Sequence, residues 1–330
     1  MSRAQFEIAV AIPTRGRETR LAFALDGLAS QTLARHAFQV VVVREERASG
    51  PYADAPAGLD VRFVTSSDPS PSAMRNRGWR AADAPVIAFM DDDCRPSERW
   101  LEHLLAAARN AAGEDGEFIL QGRTEPDPNE RHLLIGLARS IEVSGPGLYE
   151  TCNIAYPRSL LERLGGFDES FGVPHWGEDT DLGLRAEAAG AGVRWVDEAV
   201  VWHAVHSRSL ARAVRETSRR AGFAQLLARH PALRARLLMG LFVKDSHAAV
   251  TLATLGAVAG LSSGSRGRAI AAAATLPYLA LNARSWVRPG KPTLRRLGRY
   301  GLHLPAATVL DLAETIATVH GAVRYRTPVV

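Results

Sequence analysis

Residues 73–96, AMRNRGWRAADAPVIAFMDDDCRP, decide how the chain is read. The segment 72–83 has a helical pattern, VIAFM (86–90) is a short apolar strand, and three consecutive acids, Asp91, Asp92 and Asp93, stand where that strand ends. A helix leading into a buried strand that stops at polar residues is one step of an alternating α/β fold, whose functional loops lie at the carboxyl ends of the strands. Three adjacent carboxylates repel one another unless a cation sits among them, and hard oxygen donors select Mg²⁺ or Mn²⁺.

Similar units surround this one. Apolar β-branched runs recur at 6–12 (FEIAVAI), 39–43 (QVVVV), 61–64 (VRFV), 117–122 (EFILQG) and 193–196 (VRWV), with helical patterns at 17–30, 97–112 and 179–189. This spacing predicts an α/β domain with a mostly parallel central sheet. From Ser207 onward Ala, Leu and Arg dominate, and no strand is expected after VVWH (200–203). We therefore expect a basic helical region over 208–330 that includes an apolar helical hairpin, 247–283, either packed or dipping into a membrane. Its two apolar runs, 247–261 and 269–283, are shorter than the ~17–25 residues of a spanning helix. The first acidic domain is expected over 1–207.

Charge follows the same division. The 330 residues carry a formal net charge of +5, but residues 1–200 hold 21 Lys and Arg against 31 acids, and residues 201–330 hold 19 against 4. With 46% apolar and 23% charged residues, the composition is that of a globular protein and excludes disordered and collagen-like classes. Two cysteines, Cys94 and Cys152, exclude a disulfide framework and fit a reducing compartment. The opening residues do not read as a signal peptide, so a cytoplasmic protein is expected. Arg208, Arg212, Arg215 and Arg219 recur at steps of three or four and are expected to share one helix face. Clustered arginines beside apolar helices suit an anionic lipid surface, so peripheral attachment on the cytoplasmic face is expected. A soluble helical subdomain and a dimerisation surface, hence a homo-oligomer, are the alternatives; no nucleic-acid motif occurs.

Four motifs carry chemistry. The first is the acidic triad, with a solvated acidic turn or a helix cap before Pro96 as the alternative. In the second, GGFDESFGVPHWGEDTDLGLR (165–185), Glu178, Asp179 and Asp181 open a helix whose dipole favours ionised acids, and Phe167, Phe171, His175 and Trp176 form a plausible pocket wall in the lead-in. The third, IPTRGR (12–17), offers a turn with two arginines suited to phosphates, with a plain basic turn as the alternative; Arg75 to Gly78 is a related signal. The fourth is His203 with His206, which suits a metal shell, a phosphate contact or a structural role. There is no Gly-x-Ser-x-Gly elbow and no Walker-type loop.

Taken in order, AIPTRGR (11–17), residues 73–96, TCNIAYPRSLLERLGGFDESF (151–171), GEDTDLGLR (177–185) and AVVWHAVH (199–206) resemble the family 2 glycosyltransferases, which have the nucleotide-sugar-binding GT-A fold. The resemblance covers about the first 207 residues. It implies an inverting enzyme that uses a divalent metal, Mn²⁺ or Mg²⁺, to pass a sugar from a nucleoside-diphosphate sugar to an acceptor hydroxyl on a glycan precursor, lipid-linked acceptor or secondary metabolite. Asp179 matches the catalytic base. Pro13, Thr14, Arg15, Arg17, Glu45, Arg75, Asp91 and Asp92 match donor-binding positions, and Asp91, Asp93 and His203 the metal site. Asn153, Gly166, Phe167, Trp176 and Glu178 fall on the acceptor side. Where the family usually has Asp-Asp or Asp-Asn after its second strand, this sequence has Arg44-Glu45-Glu46, so Glu45 would take the place of the aspartate that reads the base. A sugar nucleotidyltransferase and an inactive, membrane-associated binding protein of the same fold are the alternatives.

Overall fold

The computed structural model describes residues 6–48, 53–114, 116–171, 176–261, 264–286 and 294–330, without the side chains of Glu114 and residues 284–303. Within it the chain forms two compact units, Met1–Ser207 and Arg208–Val330. His175 lies outside the described residues, as do Arg288 and Lys291 and the side chains of Arg284, Arg295, Arg296 and Arg299, which together form a second basic cluster in the sequence.

In chain order, the first unit contains β1 (Ile8–Thr14), α1 (Glu18–Ala29), β2 (Phe38–Glu45), β3 (Val61–Ser66), α2 (Pro71–Ala81), β4 (Val86–Phe89), β5 (Cys94–Pro96), α3 (Trp100–Glu114), β6 (Phe118–Pro126), β7 (Ile154–Pro157), α4 (Arg158–Leu164), α5 (Glu178–Ala188) and β8 (Gly192–His203). The eight strands form one sheet in the order β3-β2-β1-β4-β7-β6-β8-β5. Strands β3, β2, β1 and β4 pair in parallel, as do β6 and β8, whereas β7 is antiparallel to both β4 and β6, and β5 to β8. This mixed α/β architecture, with a mostly parallel sheet followed by helices, is the expected fold class.

The apolar runs are continuous because these strands are buried on both faces. Ile8, Val10 and Ile12 join Leu21, Leu25, Leu28, Val40, Val42 and Trp100 on one side. Ala9 and Ala11 face the other way, with Val41, Val43, Met74, Trp79, Ile87 and Phe89. The period-two alternation of a strand thus divides one sequence between two layers of core. On the second face α2 begins at Ser70, whose side chain caps the amide of Ala73. The helix lies close to the sheet because Gly78 has no Cβ; one would come within 3.1 Å of Ala11 Cβ and 3.2 Å of Val43. This close approach brings Arg75, one turn earlier, to the ends of the strands.

Three expectations need correction. VRWV (193–196) and VVWH (200–203) are not separate strands but parts of the single strand β8, whose pairing with β6 shifts register after Gly122. The short strands β5 and β7 join the same sheet, although neither has an apolar run long enough to be read from sequence. The arginine-bearing segment after Ser207 is not one helix.

In the second unit, α6 (Leu210–Glu216) gives way to a 3₁₀ turn at Thr217–Ala221 before α7 (Gly222–Arg229), so Arg208, Arg212, Arg215 and Arg219 cannot form a continuous face. Arg208 and Arg212 both bond Glu216, and Arg234 donates to the carbonyls of Gly240 and Pro328. After another 3₁₀ turn at Pro231–Arg236 come α8 (Asp245–Gly260), α9 (Gly264–Trp286) and α10 (Leu294–Arg324). Among the described residues no helix is long and apolar enough to cross a membrane.

Candidate active site

Because β1, β2 and β4 run parallel, their carboxyl ends open on one edge of the sheet, where an α/β fold binds ligands. Register places Ala11 beside Phe89 and Thr14 beside Arg44. The turn after β1, the end of β2 and the acids after β4 therefore meet.

Each carboxylate of the triad has a different environment. Asp91 accepts from Arg75 Nη2 at 3.1 Å. Asp92 is fully buried, accepting from Thr14 Oγ1 at 2.6 Å and from Arg17 Nε at 3.2 Å. Burial, reinforced by the charge of Asp93, raises Asp92 to about 7, against the opposing pull of Arg17 and Thr14. Asp93 is bonded by Arg17, and His206 Nε2 lies 2.9 Å from its Oδ2. Burial alone would raise Asp93, but the hydrogen bond to His206, with His203 and Arg17, outweighs it and holds this carboxyl well below the usual range.

Arg75 connects this triad to α5. Its Nη1 donates to Glu178 Oε1 at 3.0 Å, so one buried guanidinium joins Asp91 to the start of that helix. Gly177, at φ +94, turns the chain into α5, and Glu178, Asp179 and Asp181 occupy its first turn. Asp179 Oδ1 accepts from the amide of Thr180 at 2.8 Å. Burial, and then the neighbouring Glu178 carboxylate, push Asp179 up to about 8 despite Arg75. The loop before Glu150 is fastened to the same helix: Thr180 Oγ1 donates to Leu148 O at 2.8 Å, and the Tyr149 ring lies where a Cβ on Gly183 would come within 2.1 Å. Tyr149 sits at φ +59, a left-handed conformation that its side chain disfavours.

The donor set admits a divalent ion. Asp93 Oδ1 is buried with no hydrogen-bond partner and lies 3.6 Å from His203 Nε2. The closest partner of His203 Nδ1 is the Ala204 carbonyl at 2.7 Å, which in the neutral ring assigns the proton to Nδ1 and leaves a lone pair on Nε2. Two electron-rich atoms then face each other, an arrangement a cation stabilises. Cys94 completes a potential cluster with them. Its thiol, however, is pushed well above its ordinary value by burial, and sulfur is a poor donor for Mg²⁺ or Mn²⁺.

The remaining expected residues are distributed unevenly. Pro13 is paired within β1 against Val43, and Arg15 Nε lies 3.4 Å from Glu45 Oε2 at the ends of β1 and β2. Arg17 forms ion pairs with both Asp92 and Asp93. Phe167 is buried edge-on to Phe89 at 5.1 Å, below Arg75, and Gly166 (φ +76) leaves no room for a Cβ beside Asn76 and Trp79. Trp176 is partly exposed immediately before Gly177. Asn153 is misplaced as an acceptor-side group: it is fully buried, its amide donates to the carbonyls of Arg123 and Ala199, and its oxygen accepts from Trp100 Nε1. Its bonding capacity is spent joining β6 to β8 at the register shift. His206 makes the closer histidine contact to Asp93, and only its nearness to His203 in sequence signals this.

Known proteins resemble this chain in sequence and fold. Residues 9–145 match the model of glycosyl transferase family 2, and residues 86–287 that of glycosyl transferase family group 2. The pre-mycofactocin glycosyltransferase of Mycobacterium tuberculosis is 28% identical over 247 residues, covering 71% of this chain and 50% of that protein. Validoxylamine A glucosyltransferase of Streptomyces hygroscopicus subsp. limoneus is 28% identical over 223 residues, 56% and 48% of the two lengths. The chain thus spans about half the length of these curated relatives. The mannosyltransferase PcManGT from Pyrobaculum calidifontis, solved in complex with GDP-Man and Mn²⁺, has the same fold, with a TM-score of 0.54 and 18% identity over 97% of this chain and 87% of that one. With a family model covering more than half its length and this fold beneath it, the chain belongs to the family 2 glycosyltransferases.

Proposed function

We propose that this protein transfers a sugar, with inversion, from a nucleoside-diphosphate sugar to an acceptor hydroxyl, and that residues 208–330 bring it against a membrane surface. The observation that carries the first part is the Arg75 bridge. One buried guanidinium joins Asp91, at the metal-binding end of the site, to Glu178, the neighbour of the candidate base. Donor and acceptor chemistry are thereby held in fixed register.

Thr14, Arg15, Arg17 and Glu45 form the rim on which the nucleotide and its diphosphate would rest. Arg17, once released from Asp92 and Asp93, supplies a guanidinium for the phosphates. Asp91, Asp93 and His203 would hold Mn²⁺ or Mg²⁺, which neutralises charge on the departing diphosphate. Asp179 takes the proton of the acceptor hydroxyl as its oxygen bonds to the anomeric carbon and the bond from that carbon to the diphosphate breaks. Attack from the face opposite the leaving group inverts the centre. A base raised to about 8 is matched to this work near neutral pH. Phe167 and Trp176 flank the acceptor approach, and the acceptor is a glycan precursor, a lipid-linked sugar or a secondary metabolite. That PcManGT binds GDP-Man and Mn²⁺ on the same fold supports a nucleotide-sugar donor and a metal.

The test is a thermal-shift and saturation-transfer NMR screen of nucleoside-diphosphate sugars with and without Mn²⁺, followed by product analysis. One donor should raise Tm only when the metal is present, and its sugar should appear on a hydroxyl acceptor. Release of pyrophosphate from a nucleoside triphosphate and a sugar phosphate would instead identify a nucleotidyltransferase. No response to any donor would leave a binding protein.

A further inference from the structure

The hairpin of α8 and α9 is built unlike a soluble pair of helices. No Lys, Arg, Asp or Glu occurs between Asp245 and Arg266, or between Arg268 and Arg284. The two helices pack through small residues. Gly256 and Gly260, four apart on α8, lie where a Cβ would come within 2.3 Å of Ala274 Cβ and 2.9 Å of Gly267 O on α9. Because the contact uses glycine and alanine, many larger side chains point outward, although Val250 and Tyr278 are buried: Leu255 is 63% exposed, Val258 61%, Leu261 89% and Leu276 63%.

At 100° per residue, the exposed positions of α8 from Leu252 to Leu261 sweep roughly 220° of its circumference, and those of α9 from Ala269 to Ala280 roughly 180°. A soluble surface helix leaves its polar side to water and buries one apolar stripe, whereas a helix apolar all round belongs in a core or in lipid. A second protein surface covers one face of such a hairpin; only a fluid apolar medium surrounds it.

We infer that α8 and α9 form a monotopic membrane element, sunk lengthwise into the interface of one leaflet of an anionic bilayer. This rests on the reading of 208–330 as membrane-facing and names the surface and the lipid chemistry. The 16 residues of α8 reach about 24 Å, short of the ~30 Å hydrocarbon core. Arg266 and Arg268, both exposed near the start of α9, oppose a vertical dip because their charges would be driven towards the hydrocarbon centre. Lying along the interface, an element about 10 Å thick immerses its apolar sides while both arginines remain among the phosphates. Their charges are also available for this task. Arg208, Arg212 and Arg220 are paired with acids inside the unit, whereas Arg266 and Arg268 form no ion pair among the described residues.

The test is flotation of the full chain with vesicles of phosphatidylcholine alone or mixed with phosphatidylglycerol. Wild type should float with the mixed vesicles. The double variant Leu255→Glu, Leu276→Glu should bind at least about tenfold more weakly with an unchanged circular-dichroism melt, since both side chains are already exposed. Arg266→Glu with Arg268→Glu should weaken binding to the anionic vesicles by about fivefold per arginine and flatten its salt dependence. Depth is read with a fluorophore at Val258→Cys, quenched by brominated lipid; Cys94 and Cys152 are buried and stay unlabelled. Glutamate variants that float like wild type would overturn the inference while leaving membrane attachment standing. Wild type that floats with no vesicle would remove both, with sugar transfer to a soluble acceptor judged separately. A dimer that the glutamate variants convert to monomer in light scattering would assign the surface to a second copy of the chain.

Discussion

Arg75 and Glu178, 103 positions apart in sequence, form a buried ion pair with 3.0 Å between Nη1 and Oε1. Removing one member of such a pair strands the other charge out of water. Arg75→Ala should therefore destabilise the first unit by about 3–5 kcal/mol, measured by urea denaturation, and should also weaken donor binding by freeing Asp91. Arg75→Lys keeps the charge but not the two-nitrogen fork, so it should recover stability only in part. A loss below about 1 kcal/mol for Arg75→Ala would mean that the bridge does not organise the site.

Asp179, the proposed base, carries a stability cost that depends on pH. Its carboxyl titrates near 8 in the folded chain against 3.8 for a free aspartate. Between those values the folded state holds a proton that the unfolded chain has lost, so stability falls as pH rises through this window. Asp179→Asn removes the effect. The variant should be about 1–3 kcal/mol more stable than wild type at pH 8, nearly equal to it at pH 4, and without transfer activity. In wild type, kcat/KM should rise with pH up to about 8, and a profile flat from pH 6 to 9 would exclude Asp179 as base.

Arg17 bonds Oδ2 of Asp93, so its charge would oppose a divalent ion held at the same carboxylate. Arg17→Ala should raise the affinity for Mn²⁺ in the absence of nucleotide by about 5–10-fold, as expected for deleting one nearby positive charge. Isothermal titration calorimetry or the Mn²⁺ resonance signal reads this directly. Asp93→Asn should abolish both the binding and the metal-dependent rate, and chelation followed by Mn²⁺ should restore only wild type.

Gly183 is held open for the ring of Tyr149. Gly183→Ala would drive a methyl group into that ring, displacing the strained loop at 148–150 from the helix that carries Asp179. A loss of about 1–3 kcal/mol in stability, with KM for the acceptor rising more than kcat falls, is expected. An unchanged melt would show that the loop yields without cost.

Much of this was legible in order along the chain, and what was not depends on distance. VIAFM and VVVV announce buried strands because burial on both faces requires unbroken apolar runs, and the three acids after VIAFM stand out for the opposite reason. IAYP (154–157) does not announce itself: four residues ending in proline form a strand only because β4 and β6 flank them. The long strand β8 looks like two because Asp197 to Ala199 interrupt its pattern at the register shift. Asn153 sits in a motif of the active-site half, yet its amide serves backbone carbonyls at positions 123 and 199 that no local pattern reveals. The arginine steps at 208–219 have helical spacing, but a turn of different pitch intervenes and Glu216 gathers two of the charges.

The three aspartates after β4 each have a cationic or hydrogen-bonding partner from the protein itself: Arg75 for Asp91, Thr14 and Arg17 for Asp92, and His206 and Arg17 for Asp93. The fold thus carries its own counter-ions. On the proposed reading, a divalent ion bound there would therefore be an exchangeable guest, arriving with the donor and departing with the spent nucleotide. The cell's supply of divalent cation would then set the pace of turnover and leave the lifetime of the folded chain untouched.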